Sequence, residues 1–237
     1  MNGYTFERRE LKYRITDAQR AALEAAFGAR MVPDEHGEST ICNIYYDTAD
    51  YRLIRASLEK PAYKEKLRLR SYGIPEDGSM VFPEIKKKAQ GIVYKRRVSM
   101  PYAQAISFLA GKSPAPEGQI YRELSWMLAS YPHLTPKVFL SYERDSWQGI
   151  EQSALRLTLD REIHYRTECL DLQHGTSGDN ILQPGQTLME VKIPGAAPLW
   201  LSHALSALWI FPTSFSKYGE AYQRIYKENK METKQYA

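Results

Sequence analysis

Lysine and arginine recur at every second position along several short stretches of this chain, with single carboxylates among them. Arg8, Glu10, Lys12 and Arg14 follow that spacing, as do Lys64, Lys66, Arg68 and Arg70, and then Phe82, Glu84, Lys86 and Lys88. Later, Tyr142 is followed by Arg144, Arg156 by Thr158 and Asp160, and Glu190 by Lys192. In an extended chain residues i, i+2 and i+4 share a face, so each stretch carries a charged face. The opposite faces are apolar: Tyr63, Leu67 and Leu69; Val81 and Ile85; Leu155, Leu157 and Leu159; Met189, Val191 and Ile193. Taken singly, each charged face is explained as a solvated outer surface. Outer surfaces, however, usually mix signs, because like charges at neighbouring positions repel. Repeated cationic faces suit a polyanion, gripped by Lys and Arg hydrogen bonds in a water-poor site. The isolated carboxylates, Glu190 first and then Glu10, Glu84 and Asp160, suit Mg²⁺ or Mn²⁺, which bridges protein and phosphate oxygens. For Glu190 an ion pair with Lys192 or a neighbouring arginine is the structural alternative.

Other chemistries find little support. His36, His133, His164, His174 and His203 are scattered, and ordinary surface or core roles account for them. Cys42 and Cys169 are too few for a disulfide framework and lie at no metal-ligand spacing. Gly111-Lys-Ser113 resembles the end of a P-loop, but the required earlier glycine is replaced by Ile106. Lys86-Lys-Lys88 and Lys95-Arg-Arg97 fall within strand patterns, which argues against a localisation signal. The 17 tyrosines and 4 tryptophans could stack bases, but at alternating strand positions they read as core, and Tyr222 and Tyr226 as helix packing. The net charge of +4 over 237 residues is too small to imply nucleic acid.

The elements that must position these residues are mostly strands. Thr5–Ile15, Ser39–Asp47, Tyr63–Tyr72, Met80–Lys88, Ile92–Ser99, Val138–Trp147, Ala154–Tyr165 and Thr187–Ile193 all read as extended, and Pro33–Gly37 as a loop. Asp17 is expected to cap a helix to about Phe27. Further helices are expected behind Ser99-Met-Pro101, over Glu117–Ser130, near Leu199–Leu208 and near Lys217–Lys230. Thr167–Gly185 reads as a polar loop. The expected fold is a single α+β domain over 1–237, a closed antiparallel eight-stranded sheet with flanking helices and a flexible polar tail at 228–237. The N-terminus has no signal-peptide core, and the longest apolar stretch, Ala196–Phe211, falls short of the about 18–20 residues a membrane span needs. A soluble, cytoplasmic protein is expected.

An ordered set of motifs carries a resemblance over about Tyr4 to Tyr222. It comprises Glu10-Leu-Lys-Tyr13, Lys66-Leu-Arg-Leu-Arg-Ser-Tyr-Gly73, Glu84-Ile-Lys86, Tyr94-Lys-Arg-Arg97, Tyr142-Glu-Arg144, Leu155-Arg-Leu-Thr-Leu-Asp160, Leu188-Met-Glu-Val-Lys192 and Phe215-Ser-Lys-Tyr218. The chain resembles the catalytic domain of the vacuolar transporter chaperone (VTC) polyphosphate polymerases, which are triphosphate tunnel metalloenzymes. The resemblance implies a tunnel of eight antiparallel strands and transfer of the γ-phosphoryl group of ATP to polyphosphate, with Mn²⁺ or Mg²⁺. It implies phosphate ligation by Lys12, Arg68, Arg70, Lys86, Lys95, Arg144, Arg156 and Lys217, and metal ligation by Glu190. Lys66, Glu84 and Lys192 join them by strand parity alone. ATP, triphosphate and polyphosphate are the expected partners. No specific nucleic acid is expected, and a membrane partner is compatible with the sequence but not indicated by it. The resemblance is to the catalytic domain alone, and the SPX domain and membrane helices that accompany it in the eukaryotic complexes are not expected in this chain.

Two other functions compete. Hydrolytic relatives typically carry Glu-x-Glu-x-Lys on the first strand, where this chain has Arg8-x-Glu10-x-Lys12. Loss of the first carboxylate weakens a water-activating metal site and favours transfer over triphosphatase chemistry. A non-catalytic polyanion-binding module would use the same cationic faces, though it has no need of Glu190.

Overall fold

The computed structural model describes residues 8–90, 92–114, 116–131 and 133–235. The expected strand residues 5–7 and the last two residues of the expected tail lie outside the described residues. In chain order the elements are β1 (Arg8–Thr16), α1 (Asp17–Phe27), a 3-10 turn (Gly28–Arg30), β2 (Met31–Asp47), α2 (Arg52–Leu58), β3 (Tyr63–Tyr72), β4 (Met80–Ala89), β5 (Ile92–Arg97), β6 (Met100–Pro101), α3 (Tyr102–Leu109), α4 (Gln119–Ser130), β7 (Thr135–Gly149), β8 (Arg156–Arg166), β9 (Asp179–Asn180), β10 (Gln186–Pro194), α5 (Leu199–Ala207) and α6 (Lys217–Gln235).

The strands form one antiparallel sheet of ten, in the order β1-β10-β8-β7-β2-β3-β4-β5, with the two-residue strands β6 and β9 attached to β4 and β8. Eight strands thus lie on the main path, as expected, and two short ones lie off it. The expected closure is not found: among the described residues the pairings leave the path open, with β1 and β5 as its ends.

Two compact units divide the chain. One contains Met1–Thr40, Tyr142–Ile163 and Leu182–Ser216; the other contains Ile41–Ser141, His164–Ile181 and Lys217–Ala237. The core of the first is Tyr13, Ile15, Leu23, Phe27, Leu157, Leu159, Met189, Val191, Ile193 and their neighbours. The core of the second gathers Ile44, Leu67, Leu69, Val81, Ile85, Phe108, Leu124 and Phe139. These are the apolar positions of the period-2 pattern, joined by one face of each packed helix. Fully buried leucines and isoleucines such as Leu67, Leu69 and Ile85 each contribute roughly 1.5–3 kcal/mol.

Several local expectations are corrected. Thr16, not Asp17, caps α1: its Oγ1 accepts the Gln19 N–H while Gln19 Oε1 accepts the Thr16 N–H, a reciprocal capping box. Asp17 sits instead in the first turn, where its charge complements the helix dipole. Pro33–Gly37 is not a loop but part of the long strand β2. Asp34 Oδ1 accepts the N–H groups of His36 and Gly37, and Gly37 adopts the left-handed φ of 49° that glycine tolerates, so turn chemistry shapes the strand without ending it. Helix α2, absent from the sequence reading, starts where the Asp47 carboxylate accepts the N–H groups of Leu53 and Ile54. Helix α6 continues to Gln235, past the expected end near Lys230 and through part of the segment read as a tail.

Candidate phosphate-binding site

In the second unit, β3, β4 and β5 lie side by side with their charged faces in register. Lys66 stands opposite Lys86, which stands opposite Lys95; Lys64 stands opposite Lys88. Residues directly opposite across strands have Cβ atoms about 5 Å apart, so this register brings like charges together at a cost to the free protein. Lys64 reports the repulsion: burial first, then the charges of Lys88 and Lys60, pull its amine below the usual lysine value.

One register step away, Arg68 stands opposite Glu84, which stands opposite Arg97. Arg68 Nε donates to Glu84 Oε2 at 2.7 Å, and Lys95 Nζ lies 2.9 Å from Oε1. Burial alone would push the Glu84 carboxyl up, but Arg68, Arg70 and Lys95 hold it down at about 2. Glu84 is only 1% exposed and is enclosed by these cations, so it organises them; it is not open to a metal. Arg70 is buried and donates from Nε to Asn43 Oδ1 at 2.9 Å, and Asn43 in turn donates to the Leu140 carbonyl. The Tyr72 phenol senses the same field: burial would raise it, but Arg70, Arg97 and Lys95 bring it down.

Aromatic rings support these cations. Arg68 Nη1 donates to the Tyr45 hydroxyl at 3.2 Å, and Tyr45 stacks on Tyr218 with centroids 4.5 Å apart. Lys66 Nζ lies 6.0 Å from the centre of the Tyr218 ring. Tyr218 donates to Asp47 Oδ2 at 2.9 Å, and burial together with the Asp47 charge pushes its phenol far up. Lys217 opens the helix that carries Tyr218.

The first unit holds the other cluster. Glu10 stands opposite Lys192 and Lys12 opposite Glu190, while Glu190 and Lys192 in turn face Thr158 and Arg156. Lys12 Nζ lies 3.5 Å from Glu10 and 3.4 Å from Glu190, and donates to the Phe215 carbonyl at 3.0 Å. Arg144 grips Asp160 through two hydrogen bonds of 2.6 and 2.8 Å, leans over Tyr142, and comes within 4.0 Å of Glu190. Burial would lower the Arg144 guanidinium, but Tyr142, Asp160 and Glu190 raise it well above its usual value. Arg156 reaches Asp34 Oδ2 at 3.3 Å.

Four carboxylates were expected as metal donors, and they differ in availability. Asp160 is fully buried and committed to Arg144, as Glu84 is to Arg68 and Lys95. Glu10 and Glu190 share Lys12 between them. Thr158, opposite Glu190, has a buried Oγ1 with no hydrogen-bond partner among the described residues. Glu10, Glu190 and Thr158 carry oxygen donors of the type that Mg²⁺ and Mn²⁺ prefer. Among the described residues no group of three or more His, Cys, Asp or Glu side chains is placed to hold a metal ion.

Sequence reasoning missed Glu65, Tyr45 and Asp34. Glu65 is 4% exposed on the apolar face of β3, accepting the Tyr63 and Tyr131 hydroxyls at 2.8 Å each. A carboxylate between Tyr63 and Leu67 was the available signal, since a buried charge must find donors. Nothing in the sequence marked Asp34 as the partner of Arg156.

No described helix is long and apolar enough to cross a membrane. No curated protein matches the chain. Among solved structures it is similar to a proposed adenylate cyclase from Bacillus halodurans, with a TM-score of 0.53 and 17% identity over 87% of this chain and 92% of that one. It is also similar to a proposed adenylyl cyclase from Hippeastrum, described as having a dominant triphosphatase activity, with a TM-score of 0.52 and 16% identity over 88% of this chain and 92% of that one. At such identities the likeness establishes the fold. The VTC domain family matches residues 7–226, nearly the whole chain, and the chain belongs to that family.

Proposed function

We propose that the chain is an ATP-dependent polyphosphate polymerase, transferring the γ-phosphoryl group of ATP to the end of a polyphosphate chain. The observation that carries this reading is the lysine row Lys66–Lys86–Lys95 beside Arg68 and Arg70. A face whose cations stand opposite one another is relieved when a chain of phosphates supplies the counter-charge. Membership of the VTC domain family agrees with it.

Phosphoryl transfer passes through a loose transition state, so the protein's work is to position groups and neutralise charge. In the second unit Arg68, Arg70 and Lys86 would hold phosphates, with Lys66, Lys95 and Lys217 as further ligands; in the first unit Lys12, Arg144 and Arg156 would do so, with Lys192 as a further ligand. A terminal oxygen of the acceptor attacks the γ-phosphorus, the bond to the β,γ-bridging oxygen breaks, and ADP leaves. The acceptor oxygen is already largely ionised near neutral pH, so no general base is needed. Glu84 and Asp160 fix the directions of Arg68 and Arg144, so these cations lose little freedom on binding. Glu10 and Glu190, with Thr158, would hold the divalent ion, which would supply Lewis-acid stabilisation of phosphate charge.

Triphosphate hydrolysis is the alternative. The Glu10 and Glu190 carboxylates flanking Lys12 would serve a metal in either reaction, so the products distinguish the two. Incubation with γ-labelled ATP and Mn²⁺ tests the reading, with products resolved by gel and ³¹P NMR. A ladder of lengthening polyphosphate with ADP is expected, and Glu190→Gln should suppress it while keeping metal-free triphosphate binding. Orthophosphate without a ladder would establish the hydrolase. Saturable triphosphate binding without turnover would leave a polyanion-binding module.

A further inference from the structure

On the second unit, a cavity of about 500 Å³ is lined by Asp50, Tyr51, Arg55, Tyr222, Ile225 and Tyr226, a size within the range of small-molecule sites. Its tyrosines form a continuous aromatic series, with centroids 5.3 Å apart from Tyr51 to Tyr222 and 6.2 Å from Tyr222 to Tyr226. Tyr226 is 55% exposed, so much of this aromatic surface faces solvent, while Ile225 is buried beneath. Arg55 and Asp50 stand at the edge, Arg55 Nη1 lying 3.2 Å from both the carbonyl and the Oδ2 of Asp50. Thr48 Oγ1 steadies Asp50 from the other side at 2.7 Å.

We infer that this cavity is a purine-base subsite, in which the adenine ring stacks on Tyr222 and Tyr226 while Asp50 and Arg55 meet its polar edge. Aromatic rings offer the flat surface that a base needs. A carboxylate accepts from an exocyclic amine, and a guanidinium donates to ring nitrogens. The placement is also right for a nucleotide. Tyr218, Tyr222 and Tyr226 are spaced four residues apart on α6, which at a rise of 1.5 Å per residue sets successive rings about 6 Å apart along one side of the helix. Tyr218, at the start of that row, stacks on Tyr45 and lies under Lys66. Tyr218 itself is buried, and the row reaches the cavity at Tyr222 and Tyr226, about 12 Å of helix rise from Tyr218 to Tyr226. Inorganic triphosphate and polyphosphate have nothing to place there, so the cavity would separate nucleotide donor from polyphosphate product. This rests on the nucleotide-dependent reading above.

The test is titration calorimetry with two probes, the β,γ-imido analogue of ATP and inorganic tripolyphosphate, on wild type, Tyr222→Ala, Tyr226→Ala and Tyr222→Phe. Because Tyr226 is solvent-exposed, its replacement leaves the fold intact. Loss of one stacking ring should weaken the analogue about tenfold, leave tripolyphosphate affinity unchanged, and be restored in Tyr222→Phe. Equal weakening of both probes, or no change in either, would overturn the subsite. Its failure is separable from that of the polymerase. Analogue binding that depends on these tyrosines, in a protein that makes no ladder, keeps the subsite and removes the polymerase. A ladder from protein whose analogue affinity ignores both alanine substitutions does the reverse.

Discussion

Glu84→Gln separates a carboxylate that organises cations from one that binds metal. Glu84 is buried, with Arg68 and Lys95 at hydrogen-bonding distance, and its carboxyl drops from an ordinary 4.5 to about 2. A carboxyl depressed on folding contributes stability that is complete above its unfolded value and disappears as pH falls through its folded one. At about 1.4 kcal/mol per unit, the whole contribution is about 3 kcal/mol near neutral pH, and about 2 kcal/mol of it is gone by pH 3. Urea unfolding of wild type and Glu84→Gln, measured between pH 7 and pH 3, checks this. The variant should be less stable at pH 7, and the gap should narrow by about 1 M in urea midpoint at pH 3, for a slope of about 2 kcal/mol/M. A gap that stays constant over this range would refute the account of Glu84 as an ionised carboxylate stabilised by its cations. Since Glu84 has no part in holding metal here, the variant's Mn²⁺ affinity should match wild type.

Two further expectations concern the other clusters. Arg144→Met should cost about 3–5 kcal/mol in unfolding free energy, because it leaves the buried Asp160 charge without its two-pronged partner; adding Asp160→Leu should recover most of that loss. Lys86→Met, which takes the middle charge from the Lys66–Lys86–Lys95 row, should weaken tripolyphosphate about tenfold at low salt, the value of a charge-assisted hydrogen bond. The deficit should shrink as added salt screens the row, as calorimetry at two ionic strengths would show.

Much of the strand content was legible because period-2 alternation is a local property. Leu67 and Leu69 face inward because Lys66, Arg68 and Arg70 alternate with them, and no long-range information is needed to see it. Helix α4 was likewise legible from its helix formers. What failed locally was Pro33–Gly37, where turn-forming residues lie inside a long strand because Asp34 and Gly37 accommodate the backbone within β2. Helix α2, seven residues long, has too little sequence of its own to announce itself; a carboxylate from the preceding strand begins it.

The sequence by itself determined which residues carry charge on a shared strand face, and its ordered motifs carried the resemblance to the family that matches it. Only the tertiary structure decided which charges meet. Register set Lys66 against Lys86 and Lys95, and set Arg68 against Glu84, because a strand's neighbours come from distant parts of the chain and a slip of one residue would turn each side chain to the other face. It also separated the carboxylates, closing Asp160 and Glu84 within arginine and lysine contacts and leaving Glu10 and Glu190 sharing a lysine. No pattern along one strand could distinguish them, because the difference lies in partners supplied by other strands.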